Sequence, residues 1–298
     1  MVKRQGKNLA KKLPFPIIKT SEPETAKYAL PAQHPYYLEY PVTLNPRYGY
    51  GKPPHPKLYE IIAGNRISYG HTLERFLSFK DYFLGIPLET PATSQQPCWI
   101  NYWLSALDSV ALFSLLGLNN PKRYFEIGSG YSTKFARRAV LDCRLRTKII
   151  SIDPYPRADI DHICDTIIRK PLEDVDLSIF DELEPGDILF VDGSHHCCMN
   201  SDVAVVFLDV LPRLKAGVFV EFHDIFLPYD YPPEWKSYYS EQYLLAVYIL
   251  AESNKFDIVL PNAFIHNDAE LSSILTPLWD KTQTREFNDG LSFWIQTK

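Results

Sequence analysis

The chain has 298 residues, enough for one large α/β domain with an N-terminal extension. It is 46% apolar and 22% charged, as expected of a globular protein with a sizeable core, and its net charge of −5 gives no general ground for a nucleic-acid or anionic-membrane partner. Residues 1–57 carry ten Lys/Arg against three Asp/Glu, a net of +7, while the rest carries 21 against 33, a net of −12, which reads as a basic arm or strap on an acidic body.

In chain order, residues 1–57 hold ten of the 24 prolines and no sustained period, so an extended arm is expected. Residues 58–120 read as a helical region. Leu58, Ile61, Ile62, Leu73, Phe76 and Leu77 recur at helical spacing, and a second helix is expected over 102–116, ended by Gly117. From Pro121 onward, strands alternate with helices. RYFEI (123–127) is a buried strand, followed by a helix capped by Ser132. Further strands are expected at 148–152, 165–169, 187–191, 217–222, 256–260 and 291–296, with helices over 201–214 and near 240–254. Strands separated by helix-length connections predict an α/β fold, a doubly wound and mainly parallel sheet, over 121–298.

The five cysteines form no CxxC pair, so free thiols in a reducing, cytoplasmic setting are expected. The basic start lacks an apolar h-region, and no stretch is long and apolar enough for a membrane span.

In such sheets ligands bind beyond the carboxyl ends of the strands, where strand order reverses. After the first strand comes Glu126-Ile127-Gly128-Ser129-Gly130, whose glycines permit a tight turn and close ligand approach before a helix N-terminus. A dinucleotide fingerprint would place a third glycine at 133, where this chain has Thr133. After the second strand stands Asp153, spaced to accept ribose hydroxyls. After the fourth come Asp192 and His195, and after the fifth His223 and Asp224. Two neighbouring strand ends would then bring carboxylates and imidazoles to one rim.

The segments FEIGSGYSTKFARRA, ISIDPYPR, ILFVDGSHH and HDIFLPYDYP resemble the motifs of class I S-adenosylmethionine-dependent methyltransferases, in particular a subgroup with DGSH and HDIF-LP-x-DYP segments. The resemblance spans about Leu104 to Lys298. It implies a seven-stranded Rossmann-like sheet with only the last strand antiparallel. It implies that Glu126, Gly128, Ser129 and Gly130 line the methionine part of S-adenosylmethionine, that Asp153 takes the ribose, that Leu172 or Glu173 flanks the adenine, and that Asp192 sits beside the sulfonium. Metal-dependent relatives place one acidic residue after strand four and two ligands after strand five. The corresponding set here is Asp192, His223 and Asp224, with a histidine that suits manganese, iron or zinc better than magnesium. Without a metal, His223 is the expected base for an acceptor hydroxyl and His195 the second candidate. Tyr131, Tyr229, Tyr231 and Trp235 are candidates for an aromatic wall. The expected acceptor is a small molecule or a sugar, with no nucleic acid. A nicotinamide-dependent oxidoreductase and a non-catalytic cofactor-binding scaffold are the alternatives.

Overall fold

The computed structural model describes residues 42–91, 93–235, 237–251 and 254–298. Most of the expected arm, residues 1–41, lies outside the described residues. The chain divides into two compact units, Met1–Asn45 and Pro46–Lys298. Of the first, only 42–45 is described, without helix or strand. Everything below concerns the second.

Its strands are β1 (Arg123–Ile127), β2 (Lys148–Ile152), β3 (Thr166–Ile168), β4 (Ile188–Val191), β5 (Phe219–Phe222), β6 (Phe256–Pro261) and β7 (Phe293–Thr297). They form one sheet in the order β3-β2-β1-β4-β5-β7-β6. The pairs from β3 through β5 are parallel, and β7 is antiparallel to both β5 and β6. This is the expected sheet, with β7 alone reversed. Its central strands are apolar throughout because both faces are covered, and Ile188–Val191 is wholly buried.

The helices are α1 (Pro56–Ala63), α2 (Arg66–Phe76), α3 (Ala106–Asn119), α4 (Tyr131–Asp142), α5 (Asp202–Val205), α6 (Glu241–Leu250), α7 (Asn262–Asn267), α8 (Ala269–Ile274) and α9 (Thr276–Thr282), with a single further turn at Lys80–Phe83. The last three fill 261–290, where no pattern was readable. Residues Ala106 to Leu116 of α3 are all buried, and α3 packs beside α4.

Three boundaries differ from expectation, each for a local reason. Helix α3 runs past Gly117 and ends at Asn120, which takes the left-handed conformation (φ 43°). Gly117 is instead a packing residue, since a Cβ there would collide with the Phe79 ring. Helix α4 starts at Tyr131 with Gly130 as its cap, because Ser132 is already buried inside the first turn. Ser201 does cap α5 through the Ala204 amide, but the helix widens into a π turn at Val206–Val210 and tightens at Leu211–Arg213, around Pro212.

Residues 46–55 fasten onto the turn after β5. Asp230 Oδ2 accepts from the amides of Arg47 (2.5 Å) and Tyr48 (3.0 Å), and the His55 amide donates to the Pro228 carbonyl at 3.0 Å. At the amino ends of the strands, buried Asp187 accepts from the amides of Lys122 and Arg123 at 2.8 Å each and of Glu184 at 3.0 Å. Asp187→Ala strips three amides of their acceptor and is expected to cost about 2–4 kcal/mol of stability. A urea midpoint equal to that of the wild type would contradict this reading.

Candidate active site

The parallel ladder continues one residue past each strand end. Gly128 N donates to Ile152 O (3.0 Å), Asp153 N to Ile168 O (3.1 Å), Asp192 N to Ile127 O (2.8 Å) and His223 N to Val191 O (2.9 Å). Sheet register thus lines up Gly128, Asp153, Asp192 and His223 as the first residues beyond β1, β2, β4 and β5. Strand order reverses between β2 and β4 on either side of β1, so the crevice opens there. A cavity of about 460 Å³ occupies it, a size typical of small-molecule sites.

Most of the expected cofactor residues form its wall: Gly128, Ser129, Gly130, Asp153, Leu172, Glu173 and Asp192. Trp103, Leu104, Tyr131, Tyr155 and Arg157 add an apolar and aromatic side, with the Arg157 guanidinium 4.5 Å from the Trp103 ring. Glu126 is not on the wall. It is fully buried behind the glycine turn, where Tyr124 donates to it at 2.9 Å and Thr133 Oγ1 donates from the helix. Thr133 also accepts from Gly130 N at 3.0 Å. The residue that breaks the dinucleotide pattern is therefore the brace of this turn.

The two glycines differ in kind. Gly128 has φ 79°, and a Cβ there would fall onto the Asp192 carbonyl oxygen. Gly130 is extended (φ 178°), and a Cβ there meets no protein atom. The demand for a left-handed residue falls on Gly128 alone, while Gly130 leaves open space at the cavity wall. Asp153 ties the turn to β2: its Oδ2 accepts from Ser129 N at 2.8 Å and its Oδ1 from Tyr155 N at 2.7 Å.

At the Asp192 end the carboxylates and imidazoles converge. Asp192, His223 and Asp224 each bring a ligand atom within 4.8 Å of the others, a grouping that could hold a metal ion. His195 Nε2 lies 3.3 Å from Asp192 Oδ1 and 3.5 Å from Asp224 Oδ2. Its Nδ1 contacts Glu241 at 2.9 Å. His223 faces Asp108 through Nε2 at 3.5 Å. His195 and Asp224 both hold left-handed backbone (φ 59° and 57°), which is uncommon outside glycine and concentrates at functional sites. Neither histidine is among the residues of the cavity wall; Asp192 is the cluster member exposed there.

Sequence reasoning did not find Asp108 and Glu241, both completely buried. The only signal for Asp108 was a carboxylate within an otherwise apolar helix, and Glu241, in the first turn of its helix, gave none. The expected aromatic wall divides: Tyr131 lines the cavity, whereas Tyr231 and Trp235 pack with Phe226 and Tyr239. Tyr239 in turn lies 4.7 Å from the His195 ring. All five cysteines are free; Cys98 is buried and the others are half-buried.

The electrostatics follow from this crowding. Burial works to lower both imidazoles, but Asp192 and the other carboxylates outweigh it and raise His195 and His223 well above the usual histidine range. Burial would raise Asp192, yet the two imidazoles hold it well below the usual carboxylate range, while Asp224 is raised. Burial likewise pushes Glu221, fully buried on β5, well up.

Residues 125–225 match the family described as a methyltransferase domain. The seven-stranded sheet with β7 reversed surrounds this segment. Over these residues the chain is similar to a methyltransferase domain. Solved structures similar to it include the O-methyltransferase from Bacillus cereus in complex with SAH, at 15% identity and TM-score 0.40, covering 76% of this chain and 91% of that one. The SAH-bound Podospora anserina methyltransferase PaMTH1 is 17% identical with TM-score 0.38, covering 75% and 88%. Cofactor-bound Rv0187 from MTB is 15% identical with TM-score 0.37, covering 63% and 80%. No curated protein matches the chain. Among the described residues, no helix is long and apolar enough to cross a membrane.

Two predictions follow from the turn. Gly128→Ala adds both a clash and a disfavoured φ, so it is expected to lose at least ~2–3 kcal/mol of stability. A melting temperature within about 2 °C of the parent, the effect of roughly 1 kcal/mol or less in a chain of this size, would show that the turn tolerates a side chain. Glu126 carries a pH signature. Burial raises its folded pKa to about 7, above the ordinary carboxyl value. The folded carboxyl therefore keeps its proton where the unfolded chain has lost it, and stability falls as pH rises through that window. Glu126→Gln removes the effect, so the variant should gain on the wild type by on the order of 1–3 kcal/mol between roughly pH 4 and 8. Parallel stability curves for the two proteins across that range would refute the assignment.

Proposed function

We propose that this methyltransferase moves the methyl group of S-adenosylmethionine to a hydroxyl oxygen of a small-molecule or carbohydrate acceptor. The observation that supports this best is the single crevice. At one end Asp153 stands beside a glycine turn, and at the other Asp192 on the wall fronts a carboxylate–imidazole cluster that lies behind it.

S-adenosylmethionine supplies an electrophilic methyl carbon on a sulfonium. The protein's contribution is placement and charge. Gly128–Gly130 lets the backbone meet the methionine part, and the α4 amino terminus directs free amides toward its carboxylate. Asp153 stands where it can accept the ribose hydroxyls, and Leu172 and Glu173 flank the adenine. Asp192, on the wall, would stand beside the sulfonium and the acceptor hydroxyl. Alignment of this kind accounts for much of the barrier reduction in an in-line displacement. The acceptor's proton is handled by the cluster that Asp192 fronts, with His195 and His223 directly behind.

The fold does not separate methyl transfer from hydride transfer, but Thr133 does favour the former. The dinucleotide pattern places a glycine at that position for close packing of helix on strand, and here a threonine locks the turn instead.

Calorimetry with S-adenosylmethionine and its demethylated product tests the cofactor half. Asp153→Ala should weaken both by about 1–3 kcal/mol. Turnover is then sought with labelled cofactor against glycans, sugar nucleotides and phenols. His223→Ala should lower kcat on an acceptor so found by on the order of 10²–10⁴. Cofactor affinity should hold within about twofold, since His223 is off the wall. Binding of nicotinamide dinucleotide with none of S-adenosylmethionine would overturn the reading.

A further inference from the structure

A second cavity, of about 340 Å³, lies outside the crevice and shares no wall residue with it. Four segments meet there: Tyr59 from α1, Arg66 from the start of α2, Tyr229 from the turn after β5, and Phe264, Asn267 and Asp268 from α7 and its junction with α8. The His55 amide, just ahead of α1, donates to the Pro228 carbonyl at 3.0 Å and ties α1 to that turn. Tyr229, expected in an aromatic wall for the acceptor, belongs to this cavity and not to the crevice.

One part of the wall is aromatic. Tyr59 is 41% exposed, with its ring 5.6 Å from that of Phe264 in an edge-to-face contact. Burial first, then neighbouring Tyr59 and Asp268, pushes the Tyr229 hydroxyl up, so it stays a neutral donor and acceptor. The other part is polar and planar. Arg66 donates in a fork to the two Asp268 oxygens at 2.7 Å each and to Glu270 at 2.8 Å. Asp268 is fixed further by the amides of Glu270 (3.1 Å) and Leu271 (3.0 Å). Among the described residues, nothing else takes up the Nη1 hydrogens of Arg66 or the Asn267 side-chain oxygen, which leaves them for a ligand.

Charge decides the class of that ligand. Arg66 is matched by two carboxylates, so the cavity offers no net positive charge to a phosphate or a carboxylate. Those carboxylates are committed to the guanidinium, which leaves little for a cation. What remains is a rigid set of donors and acceptors beside aromatic rings. A neutral sugar satisfies it, since its hydroxyls both donate and accept and its C–H face packs on a ring. Tyr229 also stands only five residues after Asp224, at most about 18 Å along the chain. A short oligosaccharide covers that span.

We propose that this cavity holds one neutral sugar unit of an oligosaccharide or polysaccharide, another unit of which presents the acceptor hydroxyl at Asp192. The sugar site stands on its own geometry, whereas the use of the bound chain as acceptor rests on the methyl-transfer reading. Affinity gained at a remote unit lowers KM and leaves the chemical step alone.

The test is calorimetry on the full chain with cello-, malto-, manno- and xylo-oligosaccharides, as disaccharides and hexasaccharides, with a galacturonic acid hexasaccharide as the anionic control. At least one neutral hexasaccharide should bind. Tyr59→Ala and Asn267→Ala, both at exposed positions, should each weaken it by about 5–10-fold, the effect of one ring contact or one hydrogen bond. An unchanged melting temperature shows that the variants are folded. With labelled cofactor, Tyr59→Ala should raise KM for that hexasaccharide by the same factor at unchanged kcat, a split that a merely structural role would not give. No binding of any neutral series, binding of the anionic control as tight as theirs, or wild-type affinity in both variants would each overturn the proposal. A chain that binds but takes no methyl group from bound cofactor would overturn its acceptor half. Sugar binding without any S-adenosylmethionine binding would sink the methyl-transfer reading and leave the sugar site. Methyl transfer to phenols with no sugar bound would do the reverse.

Discussion

Charge balance in a dry space is the constraint on which the candidate site of this protein depends. Asp108, Glu221 and Glu241 are completely buried, and Asp192 and Asp224 are half-buried. Only two basic groups of this cluster, His195 and His223, stand against them. Uncompensated buried carboxylates are costly, so some must hold protons and the rest must meet positive charge. The structure does both: Glu221 is pushed toward its protonated form, and the two imidazoles are held between pairs of carboxylates. Such an arrangement contributes little net stability compared with an apolar core, so its presence is a sign of chemistry.

The sheet delivers these groups through register. One backbone bond past each strand end sets the height at which Gly128, Asp192 and His223 leave the ladder. Because β4 is wedged between β1 and β5, its loop can reach the glycine turn on one side and the His223–Asp224 corner on the other. The left-handed glycine is required because the Asp192 carbonyl comes so close to it. The glycine turn and the carboxylate–imidazole cluster are therefore neighbours by construction, and a change in one is felt at the other.

The strands were legible because central parallel strands are apolar runs of fixed length, and RYFEI, KIISI and ILFV are such runs. The rim residues were legible because strand ends are where a polar residue has no packing reason to be. What was not legible depended on contacts distant in sequence. Gly117 looked like a helix stop and is a packing residue against Phe79. Asp108 sits in WLSALDSVALFSLLG, where a carboxylate within an apolar stripe reads as an irregularity until Leu291, Ser292 and Asn262 are seen to converge on it. Glu241 reads as an ordinary acidic residue in a helix first turn, and its contact with His195 spans 46 positions. The three helices of 261–290 are too short to impose a period.

Asp202 shows how little of the loop after β4 is self-contained. Its carboxylate accepts from the Ser194 amide and hydroxyl, and it fills the space beside Gly193 where a Cβ would otherwise stand. The bend that presents His195 is thus written partly at the first residue of the following helix. A graft of residues 192–196 onto another parallel sheet would carry the letters of the motif without its shape. The transferable piece is the strand end, the loop and the opening of α5 together, and variation within this group of proteins should be sought in that larger block.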